Sequence, residues 1–569
     1  MSSTANAPRT LKVPLVNVYA KGGYSAQLRI GAEKHPLNLI LDTGSSTLVV
    51  SGSDYVEERD SALTPTSFAQ EVLYGIGGWD GPVVYTRVGI REDAIDFDLH
   101  DDHVPHAHHP IVLEQCPVAV VSSLAQETSF ADADGILGLA YDGLNKVYDL
   151  KDYFNHYGIA PALTHPWPFD EEIHLCSQHY HPILTDAILT EANRDFSMVQ
   201  TSGNSSATQD TGAQWHQATE TSFNSEDLRQ FKRFLRTQPT NALPPYFSNL
   251  TSHGLTPNKF AFFARRSSIH VASQEVLTPN TANEFAFLGQ DPLNQGWLIL
   301  GGGEEHTELY RGEFKTIAVI ENKYYNVNLV GMSIGDNEMI PSLLTQSIEE
   351  QGEQGLEEQA AETKSDTAQL DDSLSDTSAL CPDGQHLHTH GVHICDTMRG
   401  QSNAIIDTGA SAIVLTRHLF DALTQTLEAI NPHFIEQIAP FKDIAFQQTG
   451  IDMADLQLEL WPDLTFYFVG PRNEHDAAPT CDAPDCPPGC EPIAIRVTPK
   501  HYWQINTPTQ GKACFKLLSQ LPNWPDQSIL GLPLMSAYYV VFDRSVDDKG
   551  VIRFAEQKPL NISEAQHAR

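Results

Sequence analysis

Positive charge and long apolar runs are both scarce in this 569-residue chain. The 35 Lys and Arg face 73 Asp and Glu, a formal net charge of −38 at pH 7. A field of that sign repels nucleic acid and anionic membrane surfaces, so neither is expected as a partner. No stretch approaches the roughly 18 consecutive apolar residues that a membrane-crossing helix needs. The opening MSSTANAPRTLKVPLVNVYA lacks the apolar core of a secretory signal. The chain as written is therefore expected in the cytoplasm, or secreted or periplasmic where a leader has been removed. Cysteine is sparse: Cys116, Cys176, Cys381, Cys395, Cys481, Cys486, Cys490 and Cys514 permit disulfides without demanding them, which leaves the redox compartment open.

What the chain does have is an internal repeat. Residues 40–50 read ILDTGSSTLVV and residues 405–415 read IIDTGASAIVL. In each copy an apolar pair leads into Asp-Thr-Gly and an apolar run follows, the pattern of strand, tight turn and strand with an acid at the turn. A second pair, Ile136-Leu137-Gly138-Leu139 and Ile529-Leu530-Gly531-Leu532, follows in the same order. Gly44 lies 94 positions before Gly138, and Gly409 lies 122 before Gly531. One Asp-Thr-Gly is most often just a turn. Two copies inside a larger repeat point to duplication of a β lobe and to a shared site. The expected fold is all-β, with an N-terminal lobe over 1–315 and a C-terminal lobe over 316–569. A polar insertion at about 164–257 interrupts the first, and an acidic loop at about 336–400 interrupts the second, being too polar to offset its ordering entropy.

Two carboxylates brought together by such symmetry cannot both ionise cheaply, so they share a proton and present an acid and a base at once. With a water between Asp42 and Asp407, the ionised partner takes its proton as it attacks a carbonyl carbon, and the protonated partner donates to the carbonyl oxygen. Gly44 and Gly409 let backbone approach the acids, and the Thr43 and Thr408 hydroxyls are candidates for tying the two turns together. Residues 71–81, EVLYGIGGWDG, read as a glycine-rich hairpin tip with Tyr74 and Trp79 available to cover something.

On these residues the chain resembles a pepsin-family aspartic protease. The resemblance is carried by DTGSS at 42–46, DTGAS at 407–411, YGIG at 74–77, DGILGLAY at 134–141 and VFDR at 541–544. Lesser matches are VPLVN at 13–17 and WPDL at 461–464. It implies two β lobes with a cleft between them, Asp42 and Asp407 on the cleft floor supported by Thr43, Gly44, Ser45, Thr408 and Gly409, and a flap bearing Tyr74, Gly75 and Gly77. The implied substrate is an extended polypeptide with hydrophobic residues about the scissile bond. No cofactor or metal is implied, and the chain would act as a monomer.

Three departures from the family pattern refine that reading. Val49 stands where many members have Trp, and Trp79 follows Tyr74 by five positions, similar to the β-secretase branch, so its indole N–H is expected on the Tyr74 hydroxyl. Ala410 stands where most members have a hydroxyl, which removes a stabiliser of ionised Asp407 and predicts an optimum less acidic than pepsin's. Few residues precede the first strand, similar to bacterial pepsin homologues made without a prosegment.

Two rival readings remain. His100, His103, His106, His108 and His109, with His386, His388, His390 and His393 between Cys381 and Cys395, offer zinc or copper ligands without the tight spacing of a known site, so exposed loops and a Cys381–Cys395 disulfide are the plainer expectation. One of Cys481, Cys486 and Cys490 is a candidate partner for Cys514. The alternative function is a non-catalytic peptide-binding or metal-binding protein on a pepsin-like scaffold.

Overall fold

A computed structural model describes residues 10–20, 22–52, 54–55, 59–73, 78–90, 95–97, 111–121, 130–156, 162–164, 235–266, 288–348, 397–442, 447, 449–471, 492–509, 511–522 and 524–559. They are mostly β-strand with a few short helices. Contacts group the chain into two compact units, Ser25–Ala94 with Ala107–Leu255, and Met1–Tyr24 with Ile95–His106 and Thr256–Arg569. This grouping differs from the expected division at 315/316. The reason is strand pairing: Lys259–Ala264 pairs with Tyr538–Asp543 on one side and with Gln295–Leu300 on the other, and Gln295–Leu300 pairs with Thr10–Ala20.

In the unit that carries Asp42, the strand Val112–Val121 is buried from Cys116 to Val121. Such continuous burial belongs to a strand covered on both faces. It pairs with Gly78–Ile90, which in turn pairs with Thr64–Leu73 as an antiparallel hairpin. The core beneath is Val49, Trp79, Val83, Ala119, Val121, Phe130, Ile136, Val147 and Leu243. Leu243 comes from the stretch set aside as a polar insertion. Residues 235–255 of that stretch contribute Leu235, Tyr246, Phe247 and Leu250 to the buried set, so the apolar Leu-Pro-Pro-Tyr-Phe run belongs to the lobe itself. The remainder of the insertion, 165–234, lies outside the described residues.

In the other unit, six strands pair in the order Thr10–Ala20, Gln295–Leu300, Lys259–Ala264, Tyr538–Asp543, Val551–Gln557 and Tyr310–Ala318. The strand Leu464–Phe468 buries Leu464, Phe466 and Phe468 in strict alternation, the period-2 signature of a strand with one face inward. The helix Arg417–Ile430 buries Leu419, Leu423 and Leu427. Their spacing of four keeps them on one face, and each contributes about 1.5–3 kcal/mol by burial. The helix stops at Asn431, whose side chain accepts from His433 N at 3.1 Å and starts the next helix, Pro432–Ile438.

The acidic loop is anchored at both ends. Ile340–Pro341 pairs with Leu329–Ile334, and Ile348 and Met398 pack with Val330 and Val469. The acidic middle, 349–396, lies outside the described residues, as do both histidine-rich stretches and Cys176, Cys381, Cys395, Cys481, Cys486 and Cys490. Cys514 is a free, buried thiol rather than a disulfide partner. Its Sγ lies 3.4 Å from Gln447 O and 3.3 Å from Thr507 O.

Candidate active site

The strand His35–Asp42 buries Leu37, Leu39 and Leu41 and delivers Asp42 at its end. The chain turns through 43–47 and leaves as Leu48–Ser51. Gly135–Gly138 lies between these two arms, parallel to the first (Leu41↔Leu137, Asp42↔Gly138) and antiparallel to the second (Leu48↔Leu137, Val49↔Ile136). Backbone bonds fasten the turn to it: Leu139 N donates to Asp42 O at 2.7 Å, Gly138 N to Thr47 O at 2.9 Å and Ala140 N to Ser45 O at 2.7 Å. A Cβ at position 138 would sit 2.4 Å from Thr47 N and 2.5 Å from Ser46 C, so only glycine lets the strand pass.

The second motif has the same wiring. Ala404–Ile406 delivers Asp407, and Ile413–Leu415 leaves the turn. Ser528–Leu530 runs between them, parallel to the first arm (Ile406↔Leu530) and antiparallel to the second (Ile413↔Leu530). The outer neighbours correspond as well: Ser25 opposite Ile40 matches Asn326 opposite Ile405, and Val49 beside Ala119 matches Val414 beside Leu518. A Cβ on Gly531 would lie 2.2 Å from Ala412 O and 2.3 Å from Ala410 O. The sequence showed this repeat, but not that each glycine is where one strand threads a turn.

Each acid is held by its own turn. Gly44 N donates to Asp42 Oδ1 at 2.8 Å, and Gly409 N donates to Asp407 Oδ1 at 2.8 Å. Thr43 and Thr408 are both buried. The side-chain surroundings then diverge. Ser45 Oγ donates to Asp42 Oδ2 at 2.5 Å, at the short end of the range for bonds between oxygens. Ala410 has no hydroxyl to match it. Thr47 belongs to a buried network in which Gln70 Nε2 donates to Thr47 Oγ1 at 2.9 Å, to Asn145 Oδ1 at 3.1 Å and to Lys146 O at 3.1 Å. Its counterpart is Ala412. This network ties the Thr64–Leu73 arm of the hairpin to the turn beneath Asp42, and sequence reasoning missed it. The one available signal was a polar Gln70 next to the buried Ala69 on a strand.

Trp79 is in the strand Gly78–Ile90, opposite Val72 and fully buried in the core beneath the hairpin. Its expected partner Tyr74, together with Gly75 and Gly77, lies outside the described residues. Among the described residues no group of three or more His, Cys, Asp or Glu could hold a metal ion, and no helix is long and apolar enough to cross a membrane.

The family profile described as eukaryotic aspartyl protease matches residues 364–557. That span takes in Asp407, Gly531 and the strands Tyr538–Asp543 and Val551–Gln557. The match supports a pepsin-like, mostly β fold and an aspartic peptide hydrolase activity in general. No curated protein matches the chain significantly.

Proposed function

We propose that the chain is an aspartic endopeptidase in which Asp42 and Asp407 form one catalytic pair. The observation that carries this reading is the strand-for-strand equivalence of the two turns. The family match falls on the turn of Asp407, and the turn of Asp42 repeats its wiring, register and Gly N–H bond to the carboxylate. A water held between the two acids loses a proton to the ionised one and attacks the carbonyl carbon of an extended peptide. The protonated acid donates to the carbonyl oxygen, and collapse of the tetrahedral species expels the amine after a proton returns to nitrogen. No bond forms between enzyme and substrate. Apolar subsites favour hydrophobic residues beside the cut, the hairpin bearing Tyr74 closes over the substrate, and the missing hydroxyl at Ala410 sets a mildly acidic optimum.

The test is cleavage of a denatured protein between about pH 3 and pH 7 by the wild type and by Asp42→Asn and Asp407→Asn. Each variant is expected to lose about a thousandfold or more in kcat. A wild type that does not cut, or either variant cutting at the wild-type rate, overturns the reading and favours a peptide-binding scaffold.

A further inference from the structure

Thr164 and Arg236 stand at the two ends of the polar insertion, and both fasten on the same strand, Thr64–Leu73, the first arm of the hairpin. Thr164 is buried; its N–H donates to Thr66 O at 2.8 Å and its hydroxyl to Phe68 O at 2.6 Å. Arg236 reaches further along the arm. Its Nε donates to Glu71 Oε2 at 2.9 Å and its Nη2 to Glu71 Oε1 at 2.8 Å, a guanidinium fork on one carboxylate, which adds geometric precision to charge. The neighbouring Leu235 is fully buried, so the backbone that presents Arg236 is itself anchored in the lobe.

Glu71 depends on this partner. Its side chain is 4% exposed against 50% for that of Arg236, and among the described residues no other side chain bonds to its carboxylate. Ion pairs open to water on both sides contribute little, but an enclosed carboxylate that loses its partner is strongly disfavoured. Glu71 also stands directly across the hairpin from Asp80, and like charges at opposite positions of a ladder push the strands apart. Strand alternation turns the preceding residue, Gln70, to the other face, where it holds Thr47 of the turn beneath Asp42. The arm is thus clamped on both faces, three and four positions before Tyr74. One clamp fixes a point, whereas two on opposite faces fix the direction in which the arm leaves the lobe.

We propose that Arg236 is a positioning residue of the peptidase, which through Glu71 sets the direction of the hairpin before substrate arrives. This inference rests on the aspartic peptidase reading. A hairpin already in place does not have to be ordered by the substrate, so freeing it weakens binding without slowing the chemistry of the bound complex. A change that only lowers the folded fraction does the reverse: kcat per mole of protein falls and KM stays where it was.

The test is steady-state cleavage of a peptide substrate by the full chain at about pH 6, where a glutamate is ionised. Arg236→Gln should raise KM about fivefold or more, with kcat within about twofold of wild type. Arg236→Lys, which keeps the charge without the fork, should recover part of the loss. Adding Glu71→Gln to Arg236→Gln should raise KM no further, because the two side chains act as one unit. Arg311→Gln, which breaks a pair with Glu556 at 3.0 Å in the other unit, should leave KM unchanged. Amide hydrogen exchange over residues 68–73, measured without substrate, should quicken about tenfold in Arg236→Gln. In a wild type that cuts, an unchanged KM in Arg236→Gln, an equal rise in Arg311→Gln, a further rise in the double variant or unchanged exchange over 68–73 would each overturn the proposal and leave the peptidase reading in place. A wild type that cuts nothing would overturn that reading, and the proposal with it.

Discussion

At two positions the turn at Asp42 carries a hydroxyl where the turn at Asp407 carries a methyl group: through identical register, Ser45 and Thr47 on one side correspond to Ala410 and Ala412 on the other. Both turns nevertheless hold their acid by the same backbone N–H at the same 2.8 Å. Strand wiring and a threading glycine therefore suffice to place a carboxylate, and the side chains around it are left free to set its chemistry. The Gln70 and Asn145 network is an addition on the first side, and it connects the hairpin to the turn.

The sharpest way to break the comparison is at the threading glycines. Gly138→Ala and Gly531→Ala each drive a methyl group into backbone at less than 2.5 Å. Each should cost about 3 kcal/mol or more, read from urea midpoints. Tolerance at one site and not the other would show that the two turns are not built alike.

Next in size is Asp60, in the unit that carries Asp42. Burial pushes its pKa up, but bonds from Thr86, Tyr55 and the Ala32 and Ala62 N–H groups outweigh this and bring it below the ordinary value. A carboxylate depressed in the folded state contributes stability above its unfolded pKa, about 3.9, and that contribution is lost as pH falls through the folded value. Asp60→Asn should cost about 2–3 kcal/mol at neutral pH and flatten the acid limb of the stability curve.

The other unit has its own acid-sensitive group in His501, pulled down to about 4 by burial and then by Lys500. The unfolded chain protonates this histidine near 6.5, so stability falls as pH drops from there toward 4. In His501→Gln that part of the fall, on the order of 2 kcal/mol, should vanish with little change above pH 7. The smallest effect expected is also the most specific. Ala410→Thr, which gives the second turn a hydroxyl like Ser45, should move the acid limb of the cleavage profile down by about half to one pH unit. An unchanged profile would separate the hydroxyl difference from the working pH.

Much of this was legible in the sequence because its signals are local. The doubled Asp-Thr-Gly gave the two turns, and the doubled Ile-Leu-Gly-Leu gave the repeat to which both belong. What escaped was assembled from afar. The network of Gln70, Thr47 and Asn145 joins Gln70 to residues 23 and 75 positions away in the chain. Residues 235–255 escaped because they follow a polar tract whose composition masked them. Trp79 looked like a residue at the hairpin tip, since nothing local tells which face of a strand meets Phe130 and Val147.

The strand that threads each turn also sets the order of events during synthesis. Asp407 emerges long before Ser528–Leu530, and until that late segment arrives the two arms of its turn have no strand between them. Non-local pairing of this kind closes slowly. A growing chain that has not yet reached residue 528 carries both acids and yet lacks the strand that threads the turn of Asp407.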